Sequence, residues 1–339
     1  MSSIDLAQAP YFDDIDELKK YLRILFRPGY AVQARELNQL QSLLYVQQSR
    51  FGKHIFEDGA MVLPGYITHD LNYAYIKVLS TVNLASATYR ETNFLNKVIV
   101  GSSGIKAVVV NHLGPNVDDH VTFYVRYIKS NTAGTTGVFA NSEVVTVDGT
   151  GITATLAPSA ATGLGSAAHI DNGVYFVRGQ FVANDAQTII LDSYTNTPSY
   201  RVGLTYTESI VTPEEDASLN DNALGSPNEA APGAHRYKVD LVLTKLALDE
   251  VGTVDAENFY ELLKINNGLL DRIVETTDYS ELEKTFARRT YDESGNYTVR
   301  AFQVRAKEHA SDDTKLTIEI DPGKAYVRGY EINKVGKTE

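Results

Sequence analysis

From Ser86 to Leu164 the sequence breaks into short apolar or alternating runs, and that texture limits the fold more than any other feature. The runs are Val98-Ile99-Val100, Ala107-Val108-Val109-Val110, Thr122-Phe123-Tyr124-Val125-Arg126-Tyr127 and Glu143-Val144-Val145-Thr146-Val147. Between them stand Gly101-Ser102-Ser103-Gly104, Gly114-Pro115-Asn116, the stretch from Asn131 to Gly137, and Gly149-Thr150-Gly151. β-Branched and aromatic residues fill a pleated, half-buried surface, while Gly, Asn and Pro set the backbone angles of turns. Strands recurring about every 10 to 15 residues with such turns between them predict a small antiparallel barrel or sandwich, inserted in the chain as a domain of its own. The 21 tyrosines and 24 glycines of the whole chain carry the same bias, so helix is expected in few places.

The first of those places is near the N-terminus. Asp13, Asp14, Asp16 and Glu17 precede Leu18, Tyr21, Leu22 and Leu25, an acidic first turn followed by apolar spacing of three and four, which predicts a short amphipathic helix. The carboxylates lack the alternating ligands and glycine of a calcium loop. Arg27-Pro28-Gly29-Tyr30 then breaks the helix.

A second helix is predicted from Ala34 to about Gly52. Leu37, Leu40, Leu44 and Phe51, with Gln47 completing the spacing, form a seam of fewer than three heptads, and Gln33, Gln39, Gln41, Gln47 and Gln48 coat the remaining surface. The pattern fits a helix packed on copies of itself. It fits also an amphipathic helix lying on its own domain, with Leu43 and Tyr45 covering the other side, and periodicity alone favours that reading.

Further on, Phe56-Glu57-Asp58-Gly59 and Met61 to Tyr66 read as strand, turn, strand, and Tyr73 to Leu79 as another strand. Gly173-Val174-Tyr175-Phe176-Val177-Arg178-Gly179 and Gly323-Lys324-Ala325-Tyr326-Val327-Arg328-Gly329 share glycine, aromatic, Val, Arg and Gly in one register. On a strand the aromatic and Arg would share a face, the arginine stacked on a tyrosine or paired with an acid. Pro213 to Pro232, rich in Asp, Glu and Asn, has no periodicity and reads as an extended arm laid on a neighbour or as a linker. Arg236 to Thr244 alternates as a strand, Phe259 to Ile265 fits strand or short helix, and Tyr279 to Thr290 is a helix with Glu281 and Glu283 early and Arg288-Arg289 late.

Charge and chemistry narrow the function. With 31 Lys+Arg against 43 Asp+Glu the net charge is -12, which argues against nucleic acid as a partner. Zero cysteines exclude disulfides and thiolate metal sites. Met1-Ser2-Ser3-Ile4-Asp5 has no basic leader or apolar core, and no apolar run approaches the ~18 residues of a spanning helix, so no membrane is expected. Among His54, His69, His112, His120, His169, His235 and His309 no pair stands three or four apart, so no helical zinc motif arises. Gly163-Leu164-Gly165-Ser166 lacks the lysine of a phosphate loop, and no Gly-x-Ser-x-Gly elbow occurs. No catalytic, cofactor or metal residues are expected.

One resemblance covers nearly the whole chain. Pro10-Tyr11-Phe12-Asp13-Asp14 through Leu25-Phe26-Arg27-Pro28-Gly29-Tyr30-Ala31-Val32-Gln33-Ala34-Arg35-Glu36-Leu37 resembles the opening of a family of tailed-bacteriophage virion proteins, the baseplate, tail or tail-fibre structural proteins. Gly225-Ser226-Pro227-Asn228 with Ala231 to Arg236, Ala287 to Tyr297, and Gly323 to Glu331 match in order. Ala301 departs, standing where proline is expected. The Ser86 to Leu164 module matches only in texture.

The resemblance implies a non-enzymatic tail component at the baseplate or tail-fibre attachment region, located in the virion and assembled in the host cytoplasm. Its implied partners are copies of itself in a homotrimer and other baseplate or tail-fibre proteins. The oligomerisation residues would be Leu37, Leu40, Leu44, Gln47 and Phe51. The expected fold is α+β and β-rich: N-terminal helices including a trimerisation helix, antiparallel β-domains, and one small inserted barrel or sandwich. The expected parts are a helical assembly segment over 1–57 and a first β-domain over 58–85 plus 166–212. An insert over 86–165, an arm over 213–233 and a C-terminal α+β domain over 234–339 complete them. The competing reading is a receptor- or glycan-binding tail protein, with or without hydrolase activity.

Overall fold

Strands make up 43% of the structure and helices 15%, so the fold is β-rich α+β with antiparallel sheets. The computed structural model describes residues 4–79, 84–117, 119–250, 257–274, 280–308 and 316–334. In chain order the elements are α1 (Ala34–Lys53), β1 (Ala60–Leu63), β2 (Ile67–Val78), α2 (Ala87–Asn93), β3 (Val98–Gly101), β4 (Lys106–Leu113), β5 (Val121–Lys129), β6 (Val144–Val147), β7 (Thr153–Thr155), β8 (Thr162–Ile170), β9 (Gly173–Val177), β10 (Gln180–Asn184), β11 (Gln187–Asp192) and β12 (Tyr200–Val211). There follow β13 (Arg236–Ala247), β14 (Phe259–Asn266), β15 (Leu269–Ile273), α3 (Ser280–Ser294), β16 (Tyr297–Arg300), β17 (Val304–Glu308), β18 (Leu316–Ile320), β19 (Gly323–Val327) and β20 (Tyr330–Lys334). The four runs that read as strands between Ser86 and Leu164 are β3 to β6. Phe259 to Ile265 resolves as strand, and Tyr279 lies outside the described residues.

Contacts divide the chain into two units. One comprises Leu63–Val174 and Val182–Thr276, and its larger sheet has the order β11-β8-β2-β5-β4-β3-β6-β7. The strands of 86–165 therefore continue the sheet of β2 and β8. The 12-residue β2 is long enough to serve both sides, pairing with β8 along Ile67–Ile76 and with β5 along Tyr75–Val78. Ile76, Val78, Ile99, Val109, Phe123, Val145 and Leu156 share one buried core, as alternation along each strand requires. A four-stranded sheet, β13-β12-β14-β15, completes this unit. The Gln187 amide joins the two sheets, donating to the Leu241 carbonyl at 2.8 Å and accepting from Leu243 N–H at 2.9 Å.

After β12 the acidic stretch closes on itself. Asp221 N–H donates to the Ala231 carbonyl, Ala230 N–H donates back to Asp221, and Gly225 N–H donates to Glu229. It is a loop stapled by its own hydrogen bonds, where an extended arm or linker was expected.

The other unit comprises Met1–Val62, Tyr175–Phe181 and Thr277–Glu339. The amphipathic helix expected over Asp13–Leu25 does not form. Only Glu17–Lys19 turns, as a single 3₁₀ turn capped by the Asp16 carboxylate, which accepts from Leu18 N–H at 2.9 Å. Lys20, at φ 57°, ends it. Leu18, Tyr21, Leu22 and Leu25 are all exposed, so no buried face offsets the cost of helix nucleation.

The Gly-bounded motif is a hairpin in both of its occurrences, and its arginine is in the turn, not on the strand. Arg178-Gly179 and Arg328-Gly329 have φ of 52° and 86°, and of 53° and 83°, the positive pair of a two-residue hairpin turn. Each arginine N–H donates to a side chain from a preceding loop, Asp58 in one case and Asn296, at 2.7 Å, in the other. Each glycine faces a helix. A Cβ on Gly179 would lie 2.0 Å from Ser49 Oγ of α1, and one on Gly329 would lie 1.8 Å from the Ala287 carbonyl of α3. Helix, clamp residue, strand and hairpin thus recur in one order, with sheets β1-β9-β10 and β16-β19-β20 to match. Lys284 of α3 meets Glu57 beside the first clamp at 3.2 Å.

Candidate assembly surface

Helix α1 starts where Gln33 N–H donates to the Glu36 carboxylate at 2.9 Å, half of a capping box. It runs through Gly52 to Lys53. Gly52, expected as the stop, is instead a point of close approach: a Cβ there would lie 2.4 Å from the Phe176 ring. Gly52 is also the one buried residue of the helix. Its last turns, through Ser49 and Gly52, therefore hold α1 to its own hairpin.

A strap formed by residues 11–17 occupies the polar side of α1. Asn38 Nδ2 donates to the Tyr11 carbonyl at 2.9 Å, Gln39 Nε2 to Asp14 at 2.6 Å, and Ser42 Oγ to Asp13. Arg50 pairs with Glu17 at 2.6 Å, and Arg35 stands 3.8 Å from Asp14. The order of contacts, Tyr11 to Asn38 and Glu17 to Arg50, makes the strap run along the helix in its own direction. Sequence reading assigned these carboxylates to a helix start and missed the strap; the signal was their match to Arg35, Gln39, Ser42 and Arg50. Gln39 is satisfied within the chain, so the glutamine coat is not all reserved for a neighbour.

The seam is bare. Leu37, Leu40, Leu44 and Phe51 are 47%, 39%, 65% and 67% exposed, and Gln47 is exposed beside them. The helix brings all five onto one side, as their spacing demands. The seam does not lie on its own unit. Apolar surface in water costs about 25 cal/mol per Å², and contiguous exposed patches on soluble chains mark sites of association.

No group of three or more His, Asp or Glu side chains poised for a metal occurs among the described residues. His169 bridges Thr188 at 2.8 Å and Asp171 at 3.1 Å. These three lie on an open sheet surface, without the dry surroundings that strengthen a nucleophile's electrostatics. Glu143 is buried, which pushes its pKa up, but hydrogen bonds from Ser103, Ala140 and Ser102 outweigh burial and hold it below the usual carboxylate range. It ties two turns together. A cleft of about 470 Å³ lined by Tyr66, Ile67, Thr68, His69 and Ile273 is mainly apolar.

A family model described as a domain of unknown function, DUF4815, matches residues 9–79 and 142–339. The match takes in the strap, α1 and both hairpins, and passes over α2 and β3 to β5. No curated protein and no solved structure matches the chain.

Proposed function

We propose, for a chain that belongs to the DUF4815 family, a structural role in which copies associate through the α1 seam as a homotrimer. The assembly it serves is the baseplate or tail-fibre attachment region of a bacteriophage tail. The bare row Leu37, Leu40, Leu44 and Phe51 carries the self-association; the resemblance of residues 10–37 and of the later motifs to tail proteins supports the virion setting. The strands of 86–165 are read as a small barrel, supported by the bridge through which the chain after β7 returns to β2, Val78 to Leu156.

Light scattering of the purified chain tests the association. The wild type is expected at about three times the 37.3 kDa chain mass, and Leu40→Asp or Leu44→Asp at one chain mass with an unchanged far-ultraviolet circular dichroism spectrum. An aspartate on this seam would be buried uncompensated in the trimer but solvated in the monomer. Either variant folding and remaining trimeric would remove the seam from the interface. Mass spectrometry of purified virions tests the setting separately.

A further inference from the structure

The segment between the strap and α1 is a mismatch between sequence and conformation. At 100° per residue Leu18, Tyr21, Leu22, Ile24, Leu25 and Phe26 would fall within an arc of about 200°, and Lys19, Lys20, Arg23 and Arg27 within the remaining ~100°. That is complete segregation of an apolar face from a cationic one. Yet the segment is not helical beyond Lys19, and Leu18 and Leu25 are 88% and 82% exposed. Lys19, Lys20 and Arg23 make no ion pair among the described residues. A stretch this short does not hold a helix in water without a surface to bury its apolar face.

We propose that this arm folds as a helix on the α1 seam of a second copy of the chain, an exchange that rests on the self-association proposed above. Three observations select that occupant. Leu18, Tyr21, Leu22, Leu25 and Phe26 of the arm are exposed, and so is the seam of α1. Four cations on one arm repel another arm, so arm does not pair with arm. The chain's net charge of -12 opposes the arm in sign, while Leu37, Leu40, Leu44 and Phe51 match it in apolar character. Size agrees as well: a helix from Leu18 to Arg27 spans about 14 Å and the seam from Leu37 to Phe51 about 21 Å. Because donor and acceptor are different surfaces, each copy gives one arm and takes one, the contact that closes rings.

The chain contains no cysteine, which permits a direct test on full-length protein. Chains carrying Leu22→Cys are mixed with chains carrying Leu44→Cys and oxidised; a disulfide-linked pair of unlike chains is expected to exceed like pairs. Closure of the double variant Leu22→Cys/Leu44→Cys within a single chain would place the arm on its own helix and overturn the exchange. Lys20→Glu/Arg23→Glu is expected to weaken association about tenfold and to lower the helical signal of the assembled protein. An unchanged mass for that variant, with Leu40→Asp still dissociating the wild type, would overturn the arm exchange and leave seam association standing. A wild type that stays monomeric at high concentration would overturn both. Binding of wild-type chain to anionic phospholipid vesicles, lost in Lys20→Glu/Arg23→Glu without any change in mass, would reassign the arm to a lipid surface and overturn the proposal.

Discussion

The two helix-and-hairpin copies share a backbone device but not the surroundings of their central aromatic. In the first, Phe176 is buried among Phe56 and Phe181, with ring centroids 5.8 and 5.1 Å away. In the second, Tyr326 holds the matching position half-exposed. It stacks on Tyr297 at 5.0 Å, its hydroxyl donates to Glu331 at 2.8 Å, and Lys324 pairs with Glu331 at 2.9 Å. The hairpin is therefore specified by its turn: an Arg-Gly pair with positive φ, an Asp or Asn accepting the arginine N–H, and a glycine small enough to meet a helix. The aromatic is left to adapt, as core in one copy and as surface in the other.

The largest test of that difference is truncation of the aromatic. Phe176→Ala should cost about 4 kcal/mol, the range for emptying a buried ring site. Tyr326→Ala should cost only about 1 kcal/mol, because its ring is already partly in water. Denaturant unfolding of both variants measures this, and equal losses would erase the distinction. The turn glycines should behave more alike, since both meet a helix at positive φ. Gly329→Ala is expected to cost about 3 kcal/mol, from left-handed strain plus a clash with a backbone carbonyl. Gly179→Ala should cost about 2 kcal/mol, because the nearest atom, Ser49 Oγ, can rotate away. Adding Ser49→Ala to Gly179→Ala should return part of that loss; no return would mean that backbone strain alone sets the cost.

How far the sequence could be read follows from the same contrast. Alternation exposed the strands because one face of each is buried; the same rule found β3 to β6 and β13. Helix α3 was visible from its early acids and late arginines, and α1 from its seam. What stayed hidden depends on partners distant in sequence. Nothing local to Asp13 or Glu17 says that Ser42 and Arg50 will hold them extended, and the apolar spacing from Leu18 to Leu25 predicted a helix that has no surface to lie on. Gly52 looked like a helix stop because the ring of Phe176, more than a hundred residues away, is invisible from its neighbours. The repeated motif was legible as a repeat, but its arginine was misplaced, since alternation was carried one residue past the strand into a turn. The α1 seam was legible as a row of residues; their exposure was not.

The smallest effect concerns charge, which enters the surroundings of Tyr326 through Lys324 and Glu331. Hydrogen bonds from Lys324 and then Tyr326 hold the Glu331 pKa below its ordinary value. A depressed carboxylate contributes stability above its unfolded pKa and loses it as the pH falls through the folded one. The same Glu331 raises the Lys324 pKa, so that partner's contribution is full below its unfolded pKa and lost as alkaline pH passes the folded value. The pair should therefore support β19–β20 between those two limits, weakly, because its groups are in solvent and screened by salt. Amide protection factors in β19–β20, which correct for the intrinsic pH dependence of exchange, should fall slightly on acidification in the wild type and less so in Glu331→Gln, and the gap between them should shrink at high salt. Exchange at Phe176 and its neighbours should not distinguish the two proteins. If Glu331→Gln altered the first hairpin as much as the second, the two aromatic sites would be coupled, and their different surroundings would not be independent choices.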